Sequence, residues 1–481
     1  MADDSADDPF AFWRDRLNSP KLIVAPMVDQ SELPWRLLSR RHGAELCYTP
    51  MLHAALYTKD VTYRRENFQT CPDDRPLIAQ FCANDPEIFA DAAETIAPYV
   101  DGVDLNLGCP QQIARRGRYG AFLQDDWDLV RKLVESVHTK RIPITCKIRV
   151  FPDVQRTIGF AKMLQDAGCQ LLTVHGRTRE QKREKTGLAS WSQIKAVKKA
   201  LRIPVISNGN IQYRSDIDRC IEETGVDGVM TAEGNLHNPA LFEGTNVPSW
   251  QLAKEYLDLV VEYPNTANSA VRGHIFKLLY HSLTRFPELR EIVAKGSCPG
   301  DYMQVVDAIR EKCEAYHEKF MLDPDSIDCA PLPLPHWICQ PYVRAYSAPH
   351  ESAITPDLSA ISQFPFANAA KRRKHEMSKD LTAEAESLGL SRNKLKRLKR
   401  APLKYSVEKL QTTRRVYKQC SCLNPLSHKC DHLLCKRCCK TQWKTKSVPC
   451  TGHKIGTYKS QAVSSVNEDS PTESQNKLSN S

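Results

Sequence analysis

Eight short apolar runs recur between Leu22 and Asn235, and their regularity constrains the fold of this 481-residue chain more than any other feature. They read LIVAPMV (22–28), ELCYTPM (45–51), LIAQFCA (77–83), GVDLNLG (102–108), PITCKIRV (143–150), LLTVHGRT (171–178), PVISNGNI (204–211) and GVMTAEGN (228–235). Each is separated from the next by enough chain for a helix. Separators such as DPEIFADAAETIAPYV and DWDLVRKLVESVH carry the 3.6-residue apolar period of an amphipathic helix. Near-continuous apolar strands alternating with such helices predict an α/β fold with a parallel sheet. Eight units fit a closed (β/α)₈ TIM barrel, residues 19–245, better than the alternative, a doubly wound open sheet.

A barrel of this kind places its active site at the C-terminal ends of the strands. Those ends carry Pro26-Met27, Gln80, Asn106 with Cys109, Lys147, His175, Asn208-Gly209-Asn210 and Ala232-Glu233. The set has neither the carboxylate cluster that holds Mg²⁺ nor the histidine set that holds catalytic zinc, so a phosphate-bearing organic cofactor fits better. SNGN and TAEGN are small-residue loops after strands seven and eight, where barrels often hold phosphate on backbone N–H groups. Lys147 beside an isoalloxazine would stabilise negative charge on N1 and the C2 carbonyl; its bland alternative is a salt-bridged lysine. Gln80 suits the flavin's pyrimidine edge or is a satisfied buried amide. His175 suits flavin or a substrate phosphate, and Arg177 and Arg179 suit a polyanionic substrate. Cys109, between Gly108 and Pro110, reads as a turn residue exposed enough to donate a proton.

Charge and cysteine are concentrated in the C-terminal part. Residues 371–460 hold 24 Lys/Arg against 6 Asp/Glu, although the whole chain carries only +10. An acidic body with a basic tail is the asymmetry of a protein that holds a polyanion, or of a nuclear-import segment. Seven of the eighteen cysteines fall between Cys420 and Cys450. Cys435-x2-Cys438 followed by Cys450-x2-His453 has the spacing of a structural zinc site, with Cys420, Cys422, His428, Cys430, His432 and Cys439 left for a second. Free thiols are the alternative. The predicted organisation is an acidic tail (1–18), the barrel (19–245), a small helical domain (246–325), a Pro/Ser-rich linker (326–370), a basic segment (371–418), the basic Cys/His-rich cluster (419–456) and a disordered tail (457–481). No run approaches the roughly 20 apolar residues of a membrane helix, and the acidic N-terminus is unlike a targeting segment. The expected compartment is cytoplasmic or nuclear.

Taken together, APM (25–27), NLGCP (106–110), GRYGA (117–121), CKIR (146–149), HGRTR (175–179) and SNGNI (207–211) resemble the tRNA-dihydrouridine synthase family over roughly residues 20–320. AEGNL (232–236) and HWICQPY (336–342) look like its eukaryotic branch acting on D-loop positions 16 and 17. The resemblance implies a flavoprotein oxidoreductase with FMN held by Ala25, Pro26, Met27, Gln80, Lys147, His175, Asn208, Gly209, Asn210, Ala232 and Glu233. It also implies NADPH or NADH as reductant, tRNA as substrate, and a helical domain that grips it. Reduced FMN would deliver hydride to C6 of uracil while Cys109 protonates C5 and Asn106 positions the base. A thiol suits that step because an ordinary pKa of about 8.5 leaves it protonated at neutral pH. Many relatives carry Gly-Arg where this chain has Ala232-Glu233, so phosphate binding there would rely on backbone amides. Two other readings stand beside this one: a flavin oxidoreductase of a free pyrimidine or small carbonyl compound, and a non-catalytic RNA-binding factor on the same fold.

Overall fold

A computed structural model describes residues 8–182, 185–342, 430–434 and 436–450, together with Ser387. They fall in two compact units, Met1–Ser362 and Gln363–Ser481. All eight apolar runs become parallel strands: β1 Leu22–Val24, β2 Leu46–Tyr48, β3 Leu77–Cys82, β4 Gly102–Leu107, β5 Ile144–Arg149, β6 Leu171–His175, β7 Val205–Asn208 and β8 Gly228–Thr231. β2 has a two-residue continuation, Leu52–His53, beyond Pro50, which pairs with β3 through Leu52↔Phe81. Each strand pairs with the next, and β8 returns to β1 through Leu22↔Val229, which closes the sheet into a barrel. Helices between the strands start on side-chain caps, with Asp85, Asp126, Asp153 and Ser190 accepting from the first free backbone N–H groups.

Strand alternation sorts the barrel into two environments. Val103, Leu105 and Leu107 of β4 and Ile144, Cys146 and Ile148 of β5 pack outward beneath the helices. Asp104, Asn106, Thr145, Lys147 and Arg149 therefore face the interior. That interior is layered. Ile23, Leu46, Tyr48, Ile78, Leu171, Ile206 and Met230 form an apolar floor, closed by Phe12, Trp13 and Leu17. These three sit at the strands' N-terminal ends: the Phe12 ring lies 3.0 Å from where a Cβ on Gly102 would stand, and the Trp13 ring 3.2 Å from one on Gly228. The expected acidic tail therefore ends earlier than residue 18, because a buried aromatic pair hides among its aspartates. Above the floor the interior turns polar, at the mouth where the active site is expected.

Beyond the barrel, helices Ser249–Glu262, Asn268–Leu278, Pro287–Lys295 and Pro299–Leu322 share a core with the first barrel helix, Leu33–Arg41, through Trp35, Leu38, Trp250, Tyr256 and Ile309. Part of the expected linker joins this core. Trp337, Ile338 and Cys339 are buried, the Ser249 N–H donates to the Trp337 carbonyl (2.7 Å) and the Cys339 N–H to that of Val247 (3.1 Å). Pro-rich spacing disguised an apolar triplet. Apart from Ser387, the expected basic segment and the final tail lie outside the described residues. No described helix is long and apolar enough to cross a membrane.

Candidate active site

A cavity of about 610 Å³ opens at the C-terminal mouth of the barrel. Seven of the residues singled out from sequence line it: Pro26, Met27, Gln80, Asn106, Cys109, Lys147 and His175. Their side chains arrive there because they occupy inward positions at the ends of β1 and β3–β6, or the turns just after.

Cys109 is held by its neighbours on both sides. The Asn106 Oδ1 accepts from the backbone N–H of Gly108 (3.2 Å) and Cys109 (3.0 Å), closing the turn after β4. Arg149 Nε donates to the Gly108 carbonyl (2.8 Å), and the Ala121 N–H to the Cys109 carbonyl (3.1 Å). The GRYGA segment closes over this turn. Gly120 has φ +67°, and a Cβ there would meet the Cys109 carbonyl at 2.8 Å and the Cys109 Cβ at 3.0 Å. Only glycine meets both conditions. Nearby Cys82 is a buried, neutral thiol, pushed up to about 12 by burial and then by Cys109.

A second chain of hydrogen bonds fixes the cavity floor. Asn106 Nδ2 donates to Gln80 Oε1 (2.7 Å), Gln80 Nε2 to Asp104 Oδ2 (2.8 Å), and Thr145 Oγ1 to Asp104 Oδ1 (2.7 Å). Burial pushes the Asp104 carboxyl up to about 6, while the bonds from Gln80 and Thr145 hold it down. Asn106 thus orients Gln80 and the Cys109 turn while it also lines the cavity.

Lys147 gives the cavity its sign. Its ammonium donates to the neutral amide of Asn208 (2.9 Å), which in turn donates to the Met230 carbonyl (2.9 Å). Burial, followed by the charge of Arg149, brings Lys147 down to about 8. An ammonium with a neutral partner, facing a cavity, is matched to a ligand that carries or develops negative charge. Burial, with Lys147, Arg149 and Arg177 around it, holds His175 well below the usual histidine range, so its imidazole is neutral.

The remaining expected residues sit around this centre. Ala25 is buried under the mouth. Gly209 (φ +115°) and Asn210 (φ +64°) turn the loop after β7 sharply. A Cβ at Gly209 would stand 2.6 Å from Ala189 and 3.2 Å from the His175 ring, so backbone is all that fits. Ala232 and Glu233 follow β8 at the start of a short helix. None of Ala25, Asn208, Gly209, Asn210, Ala232, Glu233, Arg177 and Arg179 lines the cavity. Arg177 braces the site from behind, donating to Asn210 Oδ1 (3.0 Å) and lying 3.2 Å from His175 Nε2. Arg179 is drawn to Asp125 (2.6 Å) and Glu180 (3.2 Å).

Several lining residues escaped the sequence reading, among them Met51, Arg149, Ser269 and Lys277. Arg149 was within reach, since it lies two positions after Lys147 on the same strand face. Ser269 and Lys277 belong to helix Asn268–Leu278, and only tertiary structure brings them to the mouth. Gly273 lets that helix come close, because a Cβ there would lie 2.9 Å from the Gln30 side-chain nitrogen.

In the second unit, Cys430, Cys439 and Cys450 are buried with their sulfurs within 4.8 Å of one another. Of the four expected zinc ligands, Cys450 is in this group. Cys438 is half-buried outside it, while Cys435 and His453 lie outside the described residues.

Comparison with known proteins bears on this barrel directly. The family model described as "Dihydrouridine synthase (Dus)" matches residues 23–304. A rat protein named "tRNA-dihydrouridine(16/17) synthase [NAD(P)(+)]-like" is 49% identical over 92% of this chain and 97% of its own length. The Schizosaccharomyces pombe "tRNA-dihydrouridine(16/17) synthase [NAD(P)(+)]" is 44% identical over 69% of this chain and 90% of its own. A human "tRNA-dihydrouridine(20a/20b) synthase [NAD(P)+]-like" is 38% identical over 50% and 76%. Barrel, motif order and cavity agree with that match: the chain belongs to the dihydrouridine synthase family.

Proposed function

We propose that this dihydrouridine synthase, a flavin-dependent oxidoreductase, uses FMN and NADPH or NADH to reduce uridines 16 and 17 in the D-loop of tRNA, with Cys109 as the proton donor. The gathering of Cys109, Lys147, Gln80 and His175 around one cavity carries the reading. The choice of positions follows the relatives named for 16/17, which match at higher identity and over more of this chain than the one named for 20a/20b.

The residues present fit FMN. Lys147 and Gln80 would hold its pyrimidine edge, Pro26 and Met27 would supply apolar surface for the ring, and the left-handed turn at Gly209 and Asn210, too tight for a Cβ, would leave backbone for the phosphate. Glu233 leaves the phosphate to backbone N–H groups on the β8 side. Bound FMN supplies the hydride that goes to C6 of uracil. Lys147, still largely protonated at neutral pH with its value near 8, stabilises negative charge at the pyrimidine edge. Neutral His175 contributes a hydrogen bond without a second charge. The Asn106, Arg149 and Ala121 contacts hold Cys109 where its thiol gives its proton to C5; the resulting thiolate is reprotonated from solvent. The basic segment and the positive mouth suit a polyanion, which a free pyrimidine would not require. A structural zinc ion in the Cys/His-rich segment completes the cofactor set.

Incubating the FMN-loaded protein with NADPH and unmodified tRNA tests the reading. Dihydrouridine at 16 and 17 is expected, and Cys109→Ala should retain FMN while losing about 10²- to 10⁴-fold in rate. An FMN-loaded wild type that forms no dihydrouridine overturns the function, and an unimpaired Cys109→Ala overturns the proton-donor role.

A further inference from the structure

The three buried thiols of the second unit have the geometry of a metal centre. Cys430 and Cys450 sulfurs stand 3.8 Å apart, nearly twice the roughly 2.05 Å of a disulfide. A tetrahedral ion with Zn–S bonds of about 2.3 Å holds its sulfurs about 3.8 Å from one another. The separation is therefore that of two ligands on one ion.

Little apolar surface is described around these thiols. Among the described residues their cluster contains only Leu434 besides the three cysteines. Helix Lys436–Lys446, which carries Cys439, reads KRCCKTQWKTK and has little apolar surface to bury. A segment so poor in core needs a staple. The rest of the geometry supports one. His432 Nε2 is 2.8 Å from the Pro449 carbonyl, tying the Cys430 turn to the stretch that delivers Cys450.

We propose that Cys430, Cys439 and Cys450 are three ligands of one structural zinc ion. This rests on the reading of the segment as zinc-binding, not on the flavin chemistry, and it replaces Cys435 and Cys438 with Cys430 and Cys439 as partners of Cys450. On binding, each S–H bond is exchanged for an S–Zn bond and the protons pass to solvent, with no change of oxidation state.

The experiment measures zinc, iron and acid-labile sulfide per FMN in full-length protein expressed with added zinc and purified reduced, without chelator. Zinc is expected, and Cys430→Ser, Cys439→Ser and Cys450→Ser should each lose one equivalent while retaining FMN and dihydrouridine synthesis on a short assay. Cys313→Ser, a buried thiol of the helical domain, should keep the wild-type zinc content. Absence of zinc from the wild type, iron with labile sulfide in its place, or unchanged zinc in Cys439→Ser overturns the site. FMN retention shows that a variant's barrel is folded, so zinc loss is read from folded protein. A zinc-free chain that makes dihydrouridine would fail this proposal alone, and a zinc-loaded chain that makes none would fail the flavin reading alone.

Discussion

At the scale of single residues, Lys147 sets function against stability. Its ammonium is partly withdrawn from water and donates to a neutral amide. The folded-state value near 8 against 10.5 means that the unfolded chain binds more protons between those limits. Burial of the charge thus costs stability below pH 8, and the cost is relieved as pH rises from 8 to 10.5. Lys147→Met should stabilise the FMN-free protein at pH 7 by up to about 3 kcal/mol, an advantage that shrinks toward pH 10. Urea denaturation of both proteins across that range reads it; an equal or less stable variant at pH 7 would disprove the account. The same variant should bind FMN more weakly. Lys147 was legible in the sequence because a strand end is a privileged position, and Arg149 was legible by the same alternation. Asp104 was not: its place under Gln80 depends on two strands being in register, which no single run of sequence states.

Elements show the same division between what is local and what is not. The Cys109 turn and GRYGA segment lie close in sequence, and their motifs pointed to a reactive turn, but the contact that makes Gly120 indispensable appears only in three dimensions. Gly120→Ala combines a strained φ with a clash against the Cys109 carbonyl. It should cost about 1–3 kcal/mol of stability and, by displacing the thiol, about 10²-fold in rate. Chemical denaturation and single-turnover assays check the two effects, and full activity would show the turn to be more compliant than its packing indicates. The joint between the barrel and the helices makes a second case. Glu32 accepts from Tyr256 OH (2.7 Å) and lies 3.0 Å from His274 Nε2, with the Trp35 ring stacked on His274 at 3.9 Å. Burial pushes Glu32 up, but His274 and Tyr256 outweigh it and hold it below its ordinary value. Its contribution is present above pH 4.5 and is lost as pH falls through the lower folded value. Glu32→Gln should therefore destabilise the protein by about 3 kcal/mol at pH 7, a deficit that narrows in acid. Guanidinium titrations from pH 4 to 8 would reveal a constant deficit if the account is wrong.

On the scale of the whole molecule, periodicity made the barrel readable because eight repeats of one unit leave few alternatives. Composition misled where it averaged over a few decisive residues: aspartates around Phe12 and Trp13, prolines before Trp337. The charge asymmetry predicts that removing residues 371–481 lowers tRNA affinity and flattens its salt dependence while FMN stays bound. Filter binding from low to high salt measures this, and unchanged slopes would exclude the segment from RNA contact. The helix that carries Ser269, Gly273 and Lys277 is part of one cavity wall while belonging to a different layer from the strands that supply the chemistry. Any molecule that leans on that helix alters the volume available to a base. By thermodynamic reciprocity, a base in the cavity alters the hold on that molecule. A partner held on that helix and a base held in the cavity would thus share one wall.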